Sequence, residues 1–351
     1  MKKSFALLLI AALSISTLAG CAPSNTASTP AASAAGTSTA GTADGVKTGF
    51  AVLTSIGSSK DVTDGKGLAQ TDSTAVAVTV DKDGKIVKCI IDAVQSKINF
   101  DGKGVITTPL NTVVKSKDEL GAEYGMKKAS KIGKEWNEEA AAFAAYVVGK
   151  TADQVKSIAI DSKEGAPTDK ELTASVTISV GNFMDAIQKA VANAKDMGAK
   201  SGDKLGLGIY TTISGSTNAG AKDGIAQTSS NFGVTTTDAS GKITSCIIDA
   251  AQTNVNFTAA GKITSDLKAT LKTKDELGSS YGMKKASKIG KEWNEEAEAF
   301  AKYATGKTAA EIKGIAVNEK GEPTASDLTA SVTISIGDFM KVIDKATSSA
   351  K

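Results

Sequence analysis

Alternating apolar and polar residues predict a β-hairpin near the start of each of two related stretches of the chain. Within residues 75–91, two runs rich in β-branched side chains are separated by the turn sequence Asp-Lys-Asp-Gly. Runs joined by a turn that contains glycine are typical of a hairpin. Because successive side chains of a strand point to opposite faces, Cys89 shares a face with Val87 and Ile91. We therefore expect Cys89, and Cys246 in the second copy, to be small buried side chains rather than redox or metal-binding groups.

Helical spacing of apolar residues predicts a helix that includes Trp136 in the first copy and Trp293 in the second. The apolar stripes are Ile132, Trp136, Phe143 and Tyr146, and Ile289, Trp293, Phe300 and Tyr303. We expect each tryptophan to lie in the core rather than to stack on a cofactor. The lysines that precede this helix in the first copy are Lys127, Lys128, Lys131 and Lys134. They predict a solvated face, with an anion site as the alternative.

The end of each copy alternates hydroxyl-bearing and apolar residues, which predicts a strand with one hydroxyl-lined face. The hydroxyl positions are Thr173, Ser175, Thr177 and Ser179 in the first copy, and Thr329, Ser331, Thr333 and Ser335 in the second. A glycine and a capping residue follow, at 181–182 and 337–338, and then an amphipathic helix. Such a strand suits a phosphate group, because free N–H groups and the dipole at a helix N-terminus favour anions. The alternative interpretation is that these hydroxyls line the solvent-exposed face of an ordinary edge strand.

These patterns recur because the chain is a tandem duplication. Residues 124–140 (YGMKKASKIGKEWNEEA) reappear unchanged as residues 281–297. The period of the repeat is far longer than a solenoid unit, so each copy should have a core of its own. We therefore expect two homologous domains, at 47–200 and 204–351, with an α+β fold in which helices pack on a mainly antiparallel sheet.

Composition excludes several kinds of chemistry. The chain has no histidine and no arginine, and its formal net charge is +3. Without histidine there is no Ser-His-Asp triad, no histidine-ligated haem and no ordinary zinc site, so we expect no catalytic constellation and no metal site. Without clustered lysine and arginine we expect no nucleic-acid partner. Cys21 is the expected lipidation site described below, and the two remaining cysteines, Cys89 and Cys246, are too few for a disulfide framework.

The first residues predict where the protein works. Lys2 and Lys3 precede an apolar run that Leu-Ala-Gly-Cys closes at Cys21. This pattern resembles a bacterial lipoprotein signal peptide over residues 1–20. A membrane-spanning helix is not favoured, because it needs about 20 apolar residues. The resemblance implies a diacylglycerol on the Cys21 sulfur, which anchors the protein in the lipid bilayer on the extracytoplasmic face of the cell membrane. Residues 21–46, the lipidated cysteine and a stretch rich in Ala, Ser, Thr and Gly, predict a flexible stalk.

The chain resembles the FMN-binding domain family in four features taken together. These are the hydroxyl positions, the acidic residue before them, the Lys-Asp-Gly-Lys-Ile hairpin and the lipoprotein signal peptide. In that family FMN is joined through its phosphate to a hydroxyl side chain, within a stretch Asp-x-x-Ser-Gly-Ala-Thr-x-Thr-Ser. Asp169 matches the acidic position and Ser175 the flavin-bearing threonine, and Ser331 is the equivalent in the second copy. Leu172 and Thr173 replace the Ser-Gly pair, so the acceptor position stays open. The other candidates are Thr173 and Thr177, with Thr329 and Thr333 in the second copy.

The resemblance implies an electron carrier rather than an enzyme with its own substrate. The two-copy lipoprotein arrangement is similar to surface flavoprotein lipoproteins of Gram-positive bacteria that serve extracellular electron transfer. A flavin transferase would attach FMN covalently, up to two per chain, and this bond would prevent its loss by dilution outside the cell. Electrons would pass from a membrane quinol-linked donor to an extracellular acceptor, because the flavin supplies the redox chemistry. A non-redox surface binding or adhesion lipoprotein is the alternative.

Overall fold

The computed structural model describes residues 44–351. The expected signal peptide, the lipidation site Cys21 and nearly all of the expected stalk lie outside the described residues. The stalk is predicted to end at residue 46, but the first strand already begins at Gly45, since Val46 is buried in the core. In the described part of the chain, no helix is both long enough and apolar enough to cross a membrane.

Both copies form three long strands and then five helices in the same order, and the first half has three further short strands, one of them after its helices. In the first half the strands are β1 (Gly45–Ser55), β2 (Lys60–Thr63), β3 (Lys66–Val80), β4 (Ile86–Phe100), β5 (Val113–Val114) and β6 (Lys195–Lys200). Its helices are α1 (Lys117–Leu120), α2 (Trp136–Tyr146), α3 (Ala152–Lys156), α4 (Lys170–Thr173) and α5 (Gly181–Ala192). In the second half the elements are β7 (Lys204–Thr212), β8 (Gly224–Thr237), β9 (Ile243–Phe257), α6 (Lys274–Leu277), α7 (Trp293–Ala304), α8 (Ala309–Lys313), α9 (Ser326–Thr329) and α10 (Gly337–Ser349).

The predicted hairpin is confirmed in both halves. β3 and β4 pair antiparallel around a turn in which the Asp81 carboxylate accepts hydrogen bonds from the backbone N–H groups of Asp83 (2.9 Å) and Lys85 (2.8 Å). Gly84 completes the turn at a φ of 76°, a left-handed conformation that favours glycine. Asp238 builds the same turn between β8 and β9. Turn chemistry within a few residues is therefore enough to place the hairpin.

The strands form two antiparallel sheets that pack face to face. One sheet has the order β2-β3-β1-β6, with β4 also on β3, and the other has the order β5-β7-β8-β9. Side chains alternate between the two faces of each strand: Val76 and Val78 of β3 lie in the core under the helices, whereas Ala75 and Ala77 lie in the cluster between the sheets. Helices α2, α3 and α5 cover the first sheet, and α7, α8 and α10 cover the second. The result is an α+β fold, layered helix–sheet–sheet–helix.

Glycines let one helix in each half approach its sheet closely. A Cβ on Gly49 of β1 would lie 2.1 Å from the carbonyl oxygen of Ala190 in α5. A Cβ on Gly206, the matching residue of β7, would lie 1.8 Å from the carbonyl oxygen of Ala346 in α10. Neither glycine can be replaced without moving the helix, so these contacts set the distance between helix and sheet. Both helices begin directly after the hydroxyl-rich residues, and their seating therefore positions those residues.

The two halves share buried clusters as well as having cores of their own. One core under α2 and α5 belongs to the first half, and one under α7 and α10 belongs to the second. A further cluster joins Ile56, Ala69, Ile98 and Phe100 to Ile213, Ala226, Val255 and Phe257. The second set matches the first, residue for residue, in the aligned copies, so the halves meet like the subunits of a two-fold symmetric dimer. At the centre the rings of Phe100 and Phe257 stack with their centroids 4.2 Å apart.

Polar contacts repeat the same symmetry. Lys189 of the first half pairs with Glu276 of the second, and Lys345 of the second pairs with Glu119 of the first. A further contact does not follow this symmetry: strand β5, which follows β4 in the first half, pairs with β7 of the second. Separate folding of 47–200 and 204–351 therefore stays a prediction, and its test must take this shared interface into account.

Candidate functional site

We name residues 173–179 and 329–335 the hydroxyl segments. The prediction of a strand at these positions is wrong. The first segment runs from helix α4 through a turn and irregular backbone into α5, and the second runs in the same way from α9 into α10. Around the first segment the fully buried residues are Leu172, Val176 and Val180, four positions apart, rather than every second residue. The helices that follow are confirmed, although each begins at its glycine and has no side-chain cap.

A buried glutamate explains why the first hydroxyl segment is not a strand. Glu139 of α2 is 0 % exposed, and its Oε2 accepts hydrogen bonds from the backbone N–H groups of Thr177 (2.6 Å) and Ile178 (3.1 Å). The same carboxylate accepts the hydroxyl of Thr177 at 3.0 Å and that of Ser130 at 2.8 Å. These donors satisfy the buried charge. They also take the N–H groups that a neighbouring strand would need.

The second half repeats this arrangement around Glu296 of α7, which is also 0 % exposed. Its Oε2 lies 2.6 Å from the backbone nitrogen of Thr333 and 3.2 Å from that of Ile334, and it accepts the Thr333 hydroxyl at 3.1 Å. The hydroxyl of Ser287 donates to the other carboxylate oxygen at 2.8 Å. The local residues are identical in both copies, so the same sequence builds the same network twice.

The loop before each of these helices carries exposed lysines. We name residues 126–134, and 283–291 in the second half, the lysine loops. The exposed lysines are Lys127, Lys128 and Lys131, with Lys284, Lys285 and Lys288 in the second loop. The prediction of a solvated face is thereby confirmed for Lys127, Lys128 and Lys131, whereas Lys134 is half-buried. Lys131 pairs with Glu164 at 2.8 Å, and the equivalent pair forms in the second half.

The lysine loop and the hydroxyl segment lie side by side. Ser130 of the loop and the hydroxyl segment both bond to Glu139. A second link runs through Glu164, which pairs with Lys131 of the loop. The carbonyl of the next residue, Gly165, accepts the N–H of Val180 at 2.9 Å, directly after the hydroxyl segment. Residues 124–140 and 172–179 recur unchanged in the second half. The fold thus brings two unchanged stretches, distant along the chain, to one surface.

A cavity of about 410 Å³ opens beside α4. Its lining includes Tyr146, Lys150 and Asp169. The ammonium of Lys150 lies 4.2 Å from the centroid of the Tyr146 ring, and that of Lys307 lies 3.9 Å from the Tyr303 ring in the second half. Such a volume is in the range of small-molecule sites. Asp169 connects this cavity to the hydroxyl segment, since it is the N-cap of the helix that leads into it.

The residues singled out by the family resemblance have different partners. Asp169 caps α4 by accepting the N–H of Glu171 at 2.8 Å. The hydroxyls of Thr173 and Ser175 donate to backbone carbonyls three residues earlier, at 3.1 and 3.2 Å. Thr177 differs from both, because its hydroxyl donates to a carboxylate. The equivalent bonds in the second half are made by Thr329, Ser331 and Thr333.

Sequence reasoning missed Glu139 and Glu296, although a signal was present. Glu139 lies three residues after Trp136 and four before Phe143, on the apolar stripe of its helix. Charged residues are almost never fully buried unless they are paired, so a glutamate on such a stripe indicates a polar network. The periodicity could not show which residues supply its donors.

The prediction of buried cysteines is confirmed for Cys246 and only in part for Cys89. Cys246 is buried and Cys89 half-buried, and both are free. Burial raises the pKa of both thiols, that of Cys246 to about 12. A thiol that stays protonated is a poor nucleophile and a poor metal ligand, and it packs as a small apolar group.

Another buried carboxylate in each half lies near the interface between the halves. Asp92 of β4 is 5 % exposed and accepts the N–H groups of Ala93 (2.7 Å) and Asp118 (3.0 Å). Burial raises the pKa of Asp92 to about 6, and that of its equivalent Asp249 also to about 6. A cavity of about 330 Å³ beside Asp92 is lined by both halves, including Leu207 of β7.

Comparison with known proteins adds no relative: no family model, no curated protein and no solved structure matches the chain. The site is therefore interpreted from its own chemistry. In each half it is a hydroxyl-rich surface segment, held by a buried carboxylate and flanked by exposed lysines. Hydroxyl oxygens can form phosphoesters, and nearby ammonium groups offset phosphate charge. The arrangement is suited to carrying a phosphate-linked group.

Proposed function

We propose that this protein is a membrane-anchored, extracytoplasmic flavoprotein electron carrier. In this proposal FMN is joined through its phosphate to one hydroxyl of each hydroxyl segment, by a flavin transferase. Electrons enter from a membrane quinol-linked donor and leave to an extracellular acceptor. Covalent attachment suits this location, because a free cofactor would be diluted outside the cell.

One observation carries the proposal: residues 124–140 and 172–179, both unchanged between the copies, meet at buried Glu139. Exposed loop residues normally diverge freely after a duplication, because packing does not constrain them. Lys127, Lys128 and Lys131 are exposed and yet identical in the second loop, whereas Met126 and Ser130 contact the interior. A common task at the surface would explain the identity of the exposed lysines, which packing does not constrain.

The residues present fit an FMN phosphoester. Ser175 and Thr177 are half-buried and Ser179 is exposed, so a group attached to this segment can project into solvent. Exposed lysines of the neighbouring loop supply positive charge for a phosphate. The nearby cavity offers the ring of Tyr146 and the ammonium of Lys150 to a planar ligand. Bound FMN would supply one- and two-electron chemistry.

The chain's own contribution is positioning. Glu139 fixes the backbone at Thr177 and Ile178, so a group attached there leaves the surface in one defined direction. The shared clusters hold the two halves together, so the two hydroxyl segments keep a fixed separation. Fixed attachment points favour reproducible electron transfer between carriers, since little reorganisation is needed on binding.

The experiment is intact-mass measurement of the full chain after coexpression with a flavin transferase. We expect the added mass of two FMN groups per chain and flavin absorbance that bleaches on reduction and returns with a ferric acceptor. The matched controls are the same chain without the transferase, and a variant that lacks the hydroxyls of both segments but keeps its circular dichroism spectrum.

A colourless protein without added mass, made beside an active transferase, would refute the electron-carrier function. Surface binding or adhesion would then be the function to test. Removal of the hydroxyls of the first segment alone is expected to halve the flavin content, because Glu139 and Glu296 hold the two segments through the same hydrogen bonds.

A further inference from the structure

Of the three hydroxyls that the family resemblance singles out in each hydroxyl segment, one has surroundings unlike those of the other two. The hydroxyls of Thr173 and Ser175 donate to neutral main-chain carbonyls. The Oγ1 of Thr177 instead lies 3.0 Å from Oε2 of Glu139, a carboxylate with no exposed surface. The second half makes the same distinction at Thr333, at 3.1 Å.

A hydroxyl that forms a phosphoester has to lose its proton to a base. The hydroxyl oxygen forms a bond to phosphorus, a P–O bond of the pyrophosphate donor breaks, and a nucleoside monophosphate leaves. The hydroxyl proton has to pass to a base in the same process. A main-chain carbonyl is far too weak a base, whereas a carboxylate can accept the proton.

We propose that Thr177 and Thr333 carry the flavin phosphate, and that Glu139 and Glu296 orient their hydroxyls and accept the proton as the ester forms. The donor is a flavin dinucleotide, whose pyrophosphate bond breaks to leave FMN on the threonine and to release the nucleoside monophosphate. This inference rests on the proposed function. It differs from the family resemblance, which points to Ser175 and its equivalent.

The remaining bonds of Glu139 support this role. Its Oε2 also accepts the backbone N–H groups of Thr177 and Ile178, so the main chain of the threonine is held beside the carboxylate. With its hydrogen directed to Glu139, the Thr177 oxygen has its lone pairs free for the phosphorus. Thr177 is half-buried rather than enclosed, so a donor held by a transferase can reach it. A preoriented nucleophile of this kind lowers the entropic cost of reaction.

The test uses the full chain coexpressed with a flavin transferase, with FMN counted by intact mass and located by peptide mapping. Thr177→Val removes the hydroxyl but keeps the shape, and we expect one FMN to be lost from the first half. Thr177→Ser restores a hydroxyl at the same place, and we expect FMN to return. Ser175→Ala is the matched control, and it should keep both FMN groups.

Glu139→Gln tests the proton acceptor within one molecule, because the unchanged second half serves as the internal reference. We expect FMN loading of the first half to slow by about 100-fold relative to the second, a typical contribution of general base catalysis. Equal loading rates of the two halves would overturn the role of Glu139. The rescue by Thr177→Ser shows that loss of FMN from Thr177→Val follows the hydroxyl rather than the fold. For Glu139→Gln, an unchanged circular dichroism spectrum and an unchanged unfolding midpoint are required before slower loading is attributed to the proton acceptor.

The outcomes separate this inference from the proposed function. FMN mapped to Ser175 of the unaltered protein, or two FMN groups retained by Thr177→Val, would overturn the assignment and leave the electron carrier intact. FMN absent from the unaltered protein would overturn both.

Discussion

Replacing Phe257 by alanine should destabilise the first half of the protein, although Phe257 belongs to the second. Its ring is 0 % exposed and stacks on the ring of Phe100 at a centroid distance of 4.2 Å and an interplanar angle of 15°. Ile98 and Ile213 belong to the same cluster, one from each half. Loss of the ring therefore opens a cavity that both halves line.

The size of the effect follows from this geometry. Truncation of a buried phenylalanine to alanine costs about 3–5 kcal/mol. Stacked aromatic pairs add about 0.5–1.5 kcal/mol beyond the area they bury. We expect Phe100→Ala to cost as much as Phe257→Ala, and the double variant to fall short of the sum by about 1 kcal/mol, since the pair is lost only once. Phe257→Leu, which keeps most of the volume, should cost about 1–2 kcal/mol.

Urea unfolding followed by tryptophan fluorescence measures this coupling half by half. Trp136 lies in the first half and Trp293 in the second, and each is 6 % exposed. With Trp293→Phe as background, the signal reports the first half alone. We expect Phe257→Ala to lower the unfolding midpoint of that signal. An unchanged midpoint, together with additive single variants, would refute the shared core.

Three further predictions concern the buried carboxyl groups, the separate halves and the lipid anchor. Asp92→Asn and Asp249→Asn should each raise the free energy of unfolding at about pH 8 by about 1–3 kcal/mol. Folding raises the pKa of each carboxyl group from 3.8 to about 6, so the unaltered protein loses stability as the pH rises through that interval. Urea unfolding between about pH 4 and about pH 8 checks this, and variants with an unaltered pH dependence would contradict it. Fragments 47–200 and 204–351 should each unfold cooperatively but at lower urea than the full chain, since the shared clusters become exposed; a fragment without a cooperative transition shows that its own core is insufficient. Cys21→Ala should move the protein from the membrane fraction to the medium or leave it unprocessed, and normal processing with full membrane retention contradicts the lipid anchor.

Local sequence was sufficient for the elements whose causes act over a few residues. The hairpin turn forms because Asp81 bonds to backbone groups two and four residues later and Gly84 adopts a positive φ. Helix α5 forms where apolar spacing predicts it. The duplication in the sequence also predicted two similar halves. Such features follow from propensity, turn chemistry and periodicity, which do not need a distant partner.

The hydroxyl segments were decided only by the tertiary structure. Their alternating pattern favours a strand, but the N–H of Thr177 bonds to Glu139, 38 residues away. A buried carboxylate without hydrogen-bond donors costs more free energy than an edge strand without a neighbouring strand. The bonds to Glu139 therefore determine the backbone here, and the local alternating pattern does not. The stacking of Phe100 on Phe257 likewise depends on how two finished sheets meet. Periodicity shows which face of an element is buried, whereas the partner on the other side is chosen only when the chain folds.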